Sequence, residues 1–189
     1  MMEELNRLDT AAFRWLNAQH RPWLDEVMYW LSDREIWFPF YALLLVWLGW
    51  KFRCRAISIA LTLGATVVLS DQFTSALLKP WFMRLRPCHE PALSGWVRVV
   101  WECGGQFGFA SSHAANSFGF AAVLYLLLPH HRAFAVGVYI WATLVSYSRI
   151  YVGAHYPLDV LAGAGTGTLA ALLCVSVFRF IEKKPQSFA

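Results

Sequence analysis

Three short segments of this 189-residue chain hold the side chains able to do polar chemistry, and each borders an apolar run. The first is Lys79-Pro80-Trp81-Phe82-Met83-Arg84-Leu85-Arg86-Pro87. The second is Ala110-Ser111-Ser112-His113. The third runs from Ser148 and Arg149 to His155, Tyr156, Pro157 and Asp159. Lys79, Arg86 and Arg149 repel one another unless an anion lies between them. Arginine offers phosphate oxygens a planar fork, and lysine a point charge. Ser111 and Ser112 precede a helical run and read as N-cap residues, so the N–H groups of that helix start would face the same anion. The set predicts a site for phosphate or a close mimic.

The histidines supply a reaction. Pro157 suits the first position of a helix, which puts Tyr156 near the N-cap and Asp159 near the third position. From there a side chain reaches back over the residues just before the helix. Asp159 is therefore expected to hold the His155 imidazole in one tautomer and leave its other nitrogen free. A neutral, oriented imidazole is a nucleophile toward phosphorus. His113, at the other helix start, is the expected general acid for the leaving oxygen, a role worth about 10²–10⁴-fold. Asp71 reads as support for a site cation, and His89 and Glu90 as loop surface.

The elements that must position these groups are apolar. Hydrophobic residues make up 58% of the chain and charged residues 15%, with mean hydropathy +0.43; an ordinary soluble domain is about a quarter charged. Five runs, at 36–50, 56–78, 113–128, 133–148 and 160–178, carry little or no charge. The expectation is an all-α, multi-pass transmembrane helical bundle of about five core spans, forming one domain over 1–189 with its transmembrane core at 36–180. Residues 1–35 form an amphipathic region, with two short helices over roughly 9–33 lying in the membrane interface; a sixth span is the alternative. Leu24, Val27, Met28 and Leu31 follow i, i+3, i+4, i+7 there. Gly163 and Gly167 make a GxxxG that lets another helix approach, within this chain or in a homodimer.

Lys51, Arg53 and Arg55, then His130, His131 and Arg132, then Lys183 and Lys184 fall on one side of a five-span arrangement. The positive-inside rule makes that side cytoplasmic and turns the three chemical segments toward the periplasm or exterior of a cell (inner) membrane. The start, Met1 to Thr10, is acidic and lacks an apolar core, so no cleavable signal peptide is expected. Net charge +4 is explained by span flanks, and no nucleic-acid partner is expected. No pair among Cys54, Cys88, Cys103 and Cys174 makes a CxxC, which argues against zinc. Cys88 and Cys103 share one non-cytoplasmic loop, where an oxidising compartment permits a bridge.

Lys-x6-Arg-Pro at 79–87, Ser-x-His at 111–113 and Ser-Arg-x5-His-x3-Asp at 148–159 together resemble the type 2 phosphatidic acid phosphatase superfamily of membrane lipid phosphatases. The likeness covers roughly 70–180, and the N-terminal third contributes little to it. The middle segment departs from the family's usual Pro-Ser-Gly-His, with Ser112 in place of the glycine. The resemblance implies a metal-independent hydrolase with no cofactor and a phosphohistidine on His155. Asp159 would orient it, His113 would act as acid and then base, and Lys79, Arg86, Ser111, Ser112 and Arg149 would bind phosphate. The expected substrate is a lipid phosphate or diphosphate, undecaprenyl diphosphate first, with phosphatidylglycerophosphate, phosphatidate and lipid A phosphates as alternatives. A vanadate-dependent haloperoxidase shares these segments but is soluble. A lipid carrier without chemistry would need the cations but not His155. The protein is expected as a monomer or homodimer.

Overall fold

The structure is a computed structural model that describes residues 1–183. Lys184, used above for orientation, lies outside the described residues. Among the described residues there is no strand, only an isolated bridge between Leu85 and Phe107.

The N-terminal pair is longer than its apolar pattern shows. α1 spans Met2–Asn17, with Glu3 and Glu4 in its first turn, where acid charge suits the positive end of the helix dipole. It buries Asp9, Phe13 and Asn17, spaced by four and so on one face. α2 spans Pro22–Ser32, with the proline in the first turn. Its Leu24, Met28 and Leu31 pack around Tyr151, Val152 and Ala154, whereas Val27 of the same stripe is exposed. Both helices therefore dock on the bundle itself, α2 against α7 and α1 against α7 and α8.

A 3-10 turn, Glu35–Trp37, leads into α3 (Phe38–Phe52). α4 (Cys54–Gln72) runs on through a π-helical turn, Phe73–Leu78, into the four-residue α5 (Lys79–Phe82). After a long loop come α6 (Ser112–Leu127), α7 (Arg132–Tyr151) and α8 (Pro157–Lys183). Beyond Ser117, α6 is apolar on all sides, and most of its residues are buried, as a helix surrounded by others must be. α8, α7 and α4 pack around it.

Small residues set how close these helices come. A methyl group built on Gly167 would stand 1.9 Å from the Ala115 carbonyl oxygen, and one on Gly163 would stand 2.3 Å from that of Ser111. The GxxxG of α8 is thus used within the chain, against α6. On the other side of α6, Thr62, Thr66, Ser70 and Thr74 form a buried hydroxyl ridge along α4 and its π-turn. Thr66 and Thr74 return their hydroxyls to the carbonyls four residues back, at 2.8 and 2.9 Å, so the ridge carries no stranded donor.

Among the described residues, three helical stretches are long and apolar enough to cross a membrane: Cys54–Phe82, Pro129–Tyr151 and Pro157–Glu182. They expose Leu61, Val68, Ile140, Leu144, Leu169, Leu173 and Val177, which suits contact with lipid. α3 and α6, with 15 and 16 residues, rise only about 22–24 Å, short of the ~30 Å hydrocarbon layer. Length and composition thus mark three of the five expected spans.

The bundle has two polar ends. At one, Arg55 pairs with Glu182 at 3.1 Å and Arg179 donates to the Leu126 carbonyl at 2.9 Å. The end of α5, the starts of α6 and α8 and the end of α7 meet at the other. The 83–111 loop covers that second end and is pinned by the Cys88–Cys103 disulfide, with Cα atoms 6.4 Å apart. Asn17 joins the loop to α7, its amide donating to the carbonyls of Arg98 at 3.0 Å and Tyr151 at 2.7 Å.

Gly167→Ala has no room, whereas a methyl on Gly165 of the same helix meets nothing within 4 Å. We expect Gly167→Ala to cost about 2 kcal/mol or more and Gly165→Ala to be neutral or slightly stabilising, as read by thermal unfolding in detergent.

Candidate active site

α8 begins at Pro157, so Tyr156 is its N-cap and Asp159 its third residue. Asp159 reaches back as expected there: its Oδ2 accepts the Tyr156 N–H at 3.0 Å and lies 3.5 Å from His155 Nδ1. Asp159 has no exposed surface and His155 2%. The opposite imidazole nitrogen, Nε2, lies 3.4 Å from Nη1 of Arg86. The ring is thus set between a carboxylate on one nitrogen and a guanidinium on the other. Burial, then the charges of Arg86, Arg149 and Lys79, hold the His155 pKa well below the usual imidazole range. The neutral ring is the form these surroundings favour.

The second segment opens α6. Ser111 is its N-cap, with Oγ accepting the Ala114 N–H at 3.4 Å, and its own N–H donates to the Asp159 carbonyl at 2.9 Å. That bond joins the starts of α6 and α8. Ser112 is not a cap; it is the first helical residue, and its hydroxyl lies 2.9 Å from Thr74 Oγ1, 3.0 Å from Ser75 Oγ and 2.9 Å from Lys79 Nζ. Thr74 and Lys79 are five residues apart, the spacing that a π-turn brings to one face. His113, one residue on, is partly buried, and the charges of Arg149, Arg86 and Lys79 all act on it.

Arg149 ends α7. Its carbonyl accepts the N–H groups of Ala154 at 3.0 Å and His155 at 3.1 Å, and its Nη1 donates to Ser32 Oγ. Arg86 is 8% exposed and held by the loop: its N–H donates to the Gln106 carbonyl at 3.1 Å, and Gly104, at φ +78°, packs on its guanidinium. The pKa of Arg86 is pushed down by burial. Nε of Arg86 and Nε of Arg149 are buried with no hydrogen-bond acceptor among the described residues. Lys79, Arg86 and Arg149 act on one another by repulsion. An anion placed among them would satisfy donors and relieve that repulsion together.

Several participants escaped the sequence. Arg84 stacks over the Tyr156 ring at 4.1 Å and bridges two carboxylates, Asp159 Oδ1 at 2.8 Å and Asp9 Oδ2 at 2.6 Å. The other Asp9 oxygen accepts the Leu158 N–H at 2.9 Å. Asp9 and Ser32 both belong to the N-terminal helices, which thus supply the far partners of Arg84 and Arg149. Gly108 lies so close that a methyl there would stand 3.0 Å from Asp159 Oδ2 and 3.2 Å from Arg86 Cγ. Asp71 accepts from the Asn116 amide at 3.4 Å, and its charge also acts on Lys79. His89 stays at the loop surface, 3.1 Å from the Gly104 carbonyl.

Residues 55–183 match the PAP2 superfamily. The chain belongs to the PAP2 superfamily. A lipid A 4'-phosphatase of Bacteroides thetaiotaomicron is 38% identical over 191 residues, covering 97% of this chain and 81% of that protein. An undecaprenyl-diphosphatase of Sulfolobus acidocaldarius is 33% identical, covering 87% and 76% respectively. The crystal structure of a PAP2-type phosphatidylglycerolphosphate phosphatase from Bacillus subtilis superposes with a TM-score of 0.70 at 24% identity, over 98% of this chain and 90% of that one, which concerns the fold. This PAP2 protein is an integral membrane lipid phosphatase, so the carrier and haloperoxidase readings give way.

The disulfide ties Cys88, two residues after Arg86, to Cys103, whose neighbour Gly104 packs on the Arg86 guanidinium. A bridge over about 15 residues contributes roughly 3 kcal/mol in the chain-entropy model. We expect maleimide to reach Cys88 and Cys103 only after reduction, while exposed Cys54 labels at once, as read by mass shift.

Proposed function

We propose that this PAP2 phosphatase hydrolyses a lipid phosphate through a phosphohistidine on His155. The observation that carries this is the His155 ring, its Nδ1 at Asp159 and its Nε2 at Arg86, within the field of three cations. Nε2 would attack phosphorus in line with the leaving oxygen. Lys79, Arg86 and Arg149, the Ser111 and Ser112 hydroxyls and the N–H groups at the start of α6 would hold the phosphoryl oxygens. His113 would give the leaving alkoxide its proton. It would then take a proton from the water that cleaves the P–N bond, which releases inorganic phosphate and restores neutral His155.

The favoured substrate is a phosphate monoester of the lipid A type. The likeness of the Bacteroides relative, which spans nearly the whole chain, supports this. Undecaprenyl diphosphate, the first expectation from the sequence, is the competitor, supported by the Sulfolobus relative. The site would face the periplasm or cell exterior of an inner membrane. The Arg55, Arg132 and Arg179 end would be cytoplasmic, and α3 and α6 would cross beside the three long spans.

Phosphate release from lipid A, undecaprenyl diphosphate, phosphatidate and phosphatidylglycerophosphate, measured in chelator, tests this reading. Lipid A is expected to be turned over fastest, and His155→Ala is expected to lose at least about 10³-fold in kcat. Full turnover by His155→Ala would remove the phosphohistidine.

The low His155 pKa sets a pH dependence. Below the unfolded-state value near 6.5 the unfolded chain binds a proton that the folded ring resists, so His155 costs stability as pH falls, about 1.4 kcal/mol per unit. The nucleophile itself stays unprotonated. The acid limb of kcat/KM is therefore expected to fall well below pH 6.5, as read from a pH–rate profile.

A further inference from the structure

We propose that Asp9 and Arg84 are positioning residues for the reaction at His155: Asp9 anchors the Arg84 guanidinium so that it holds Asp159 without drawing it off the imidazole. This rests on the His155 reading above and extends it to α1, a helix far away in sequence.

Asp159 has two oxygens and three partners. Oδ1 takes Nη1 of Arg84 at 2.8 Å. Oδ2 takes the Tyr156 N–H at 3.0 Å and stands 3.5 Å from His155 Nδ1. A guanidinium with one carboxylate to bind settles on both of its oxygens in a two-pronged pair. That arrangement would turn Oδ2 from the imidazole toward Arg84. Here the second prong, Nη2, goes to Asp9 Oδ2 at 2.6 Å. Arg84 therefore meets Asp159 with one prong only, and Oδ2 stays with the N-cap and the ring. Tyr156 fixes the guanidinium plane from one face at 4.1 Å, and Phe13, one turn beyond Asp9 on α1, packs edge-on against the same tyrosine at 5.4 Å.

Asp9 is itself fixed. Its Oδ1 accepts the Leu158 N–H at 2.9 Å, and the residue is 5% exposed. One carboxylate from α1 thus ties the first turn of α8 to Arg84, and both features bear on where Asp159 points. Burial pushes the Asp9 carboxyl up, against the pull of Arg84 and the Leu158 N–H. Balance of charge gives the same picture. Lys79, Arg86 and Arg149 serve the substrate anion, whereas Arg84 is neutralised by carboxylates on both sides and stays out of that set.

Asp9→Asn separates positioning from support, because asparagine keeps an oxygen for the Leu158 N–H and loses the charge that holds Arg84. With the panel lipid that the parent turns over fastest, kcat is expected to fall roughly 10- to 100-fold, the scale of a small misplacement at a reacting group. KM and the inhibition constant of inorganic phosphate are expected to stay within about twofold, since no phosphate-binding group is touched. Asp9→Glu should recover part of kcat. Arg84→Lys should behave like Asp9→Asn, as a point charge cannot serve two carboxylates through a fork. It also provides the reading should Asp9→Asn fail to fold. Unchanged kcat per folded enzyme in Asp9→Asn or Arg84→Lys, or equal kcat in Asp9→Asn and Asp9→Glu, overturns the inference. His155→Ala run alongside tells the two ideas apart. If it is inactive while Asp9→Asn is fully active, this inference alone falls; if it is active, the phosphohistidine reading has failed.

Discussion

The active end of this protein depends on how closely the backbones of α6 and α8 approach. Gly163 and Gly167 place the α8 backbone against the carbonyls of Ser111 and Ala115. At the head of that contact the Ser111 N–H donates to the Asp159 carbonyl at 2.9 Å. Two helix starts are thereby held side by side. One carries the N–H groups of Ser112 and His113, and the other carries Asp159 just behind His155. Had either glycine carried a side chain, the starts would separate, and no movement of side chains alone would restore the distance. In a lipid surrounding, where apolar contact between helices has little advantage over apolar contact with lipid, such close backbone packing is a main source of association. One contact therefore serves both the stability of the bundle and the assembly of its chemistry.

Around this contact the protein accumulates positive charge that it does not neutralise. Lys79, Arg86 and Arg149 repel one another, and two of them bury a guanidinium Nε without an acceptor among the described residues. By contrast, Arg84, two residues from Arg86, sits between two carboxylates. Neighbouring arginines on one loop are thus treated oppositely: one is balanced and structural, the other left wanting an anion. A buried donor without a partner lowers stability, and sites kept for a ligand commonly carry that cost. The disulfide, the Asn17 bonds and the packing of α1 and α2 hold the loop against the repulsion.

How much of this could be read from the sequence follows from range. Pro157, Tyr156 and Asp159 lie within one helical turn, so local rules for helix starts placed them. Lys79, Arg86, His113 and Arg149 stand at the ends of apolar runs, and an even alternation of ends put them on one side. Asp9, Ser32 and Gly108 gave no such signal. Asp9 looks like any acid in the first half of a surface helix, and its partners Arg84 and Leu158 lie 75 and 149 residues away. Arg84 stood within the first segment but was given no role, because nothing local tells a paired arginine from an unpaired one. The membrane pattern has a different limit. α6 is apolar beyond its first turns because other helices surround it, and α3 is short, so apolar composition alone could not separate a buried helix from one that meets lipid along its whole length.

Ser112 shows how a departure from the family's usual glycine is absorbed. A glycine there would offer the phosphate a closer backbone but no hydroxyl. Here the hydroxyl is the meeting point of Thr74, Ser75 and Lys79, and only the π-turn in the preceding helix aligns residues 74 and 79 toward it. A regular α-helix through 73–78 would advance Lys79 by a different angle and carry its ammonium away from α6. The serine and the irregular turn thus act as one device. The hydroxyl holds the lysine where its charge reaches His155 and His113, and the turn relinquishes regular hydrogen bonding to present that lysine. On the phosphate-binding role proposed above, the site would give up some closeness of backbone to phosphate and gain an ammonium fixed before the substrate arrives. That exchange suits a reaction in which most of the acceleration comes from charge placed in advance.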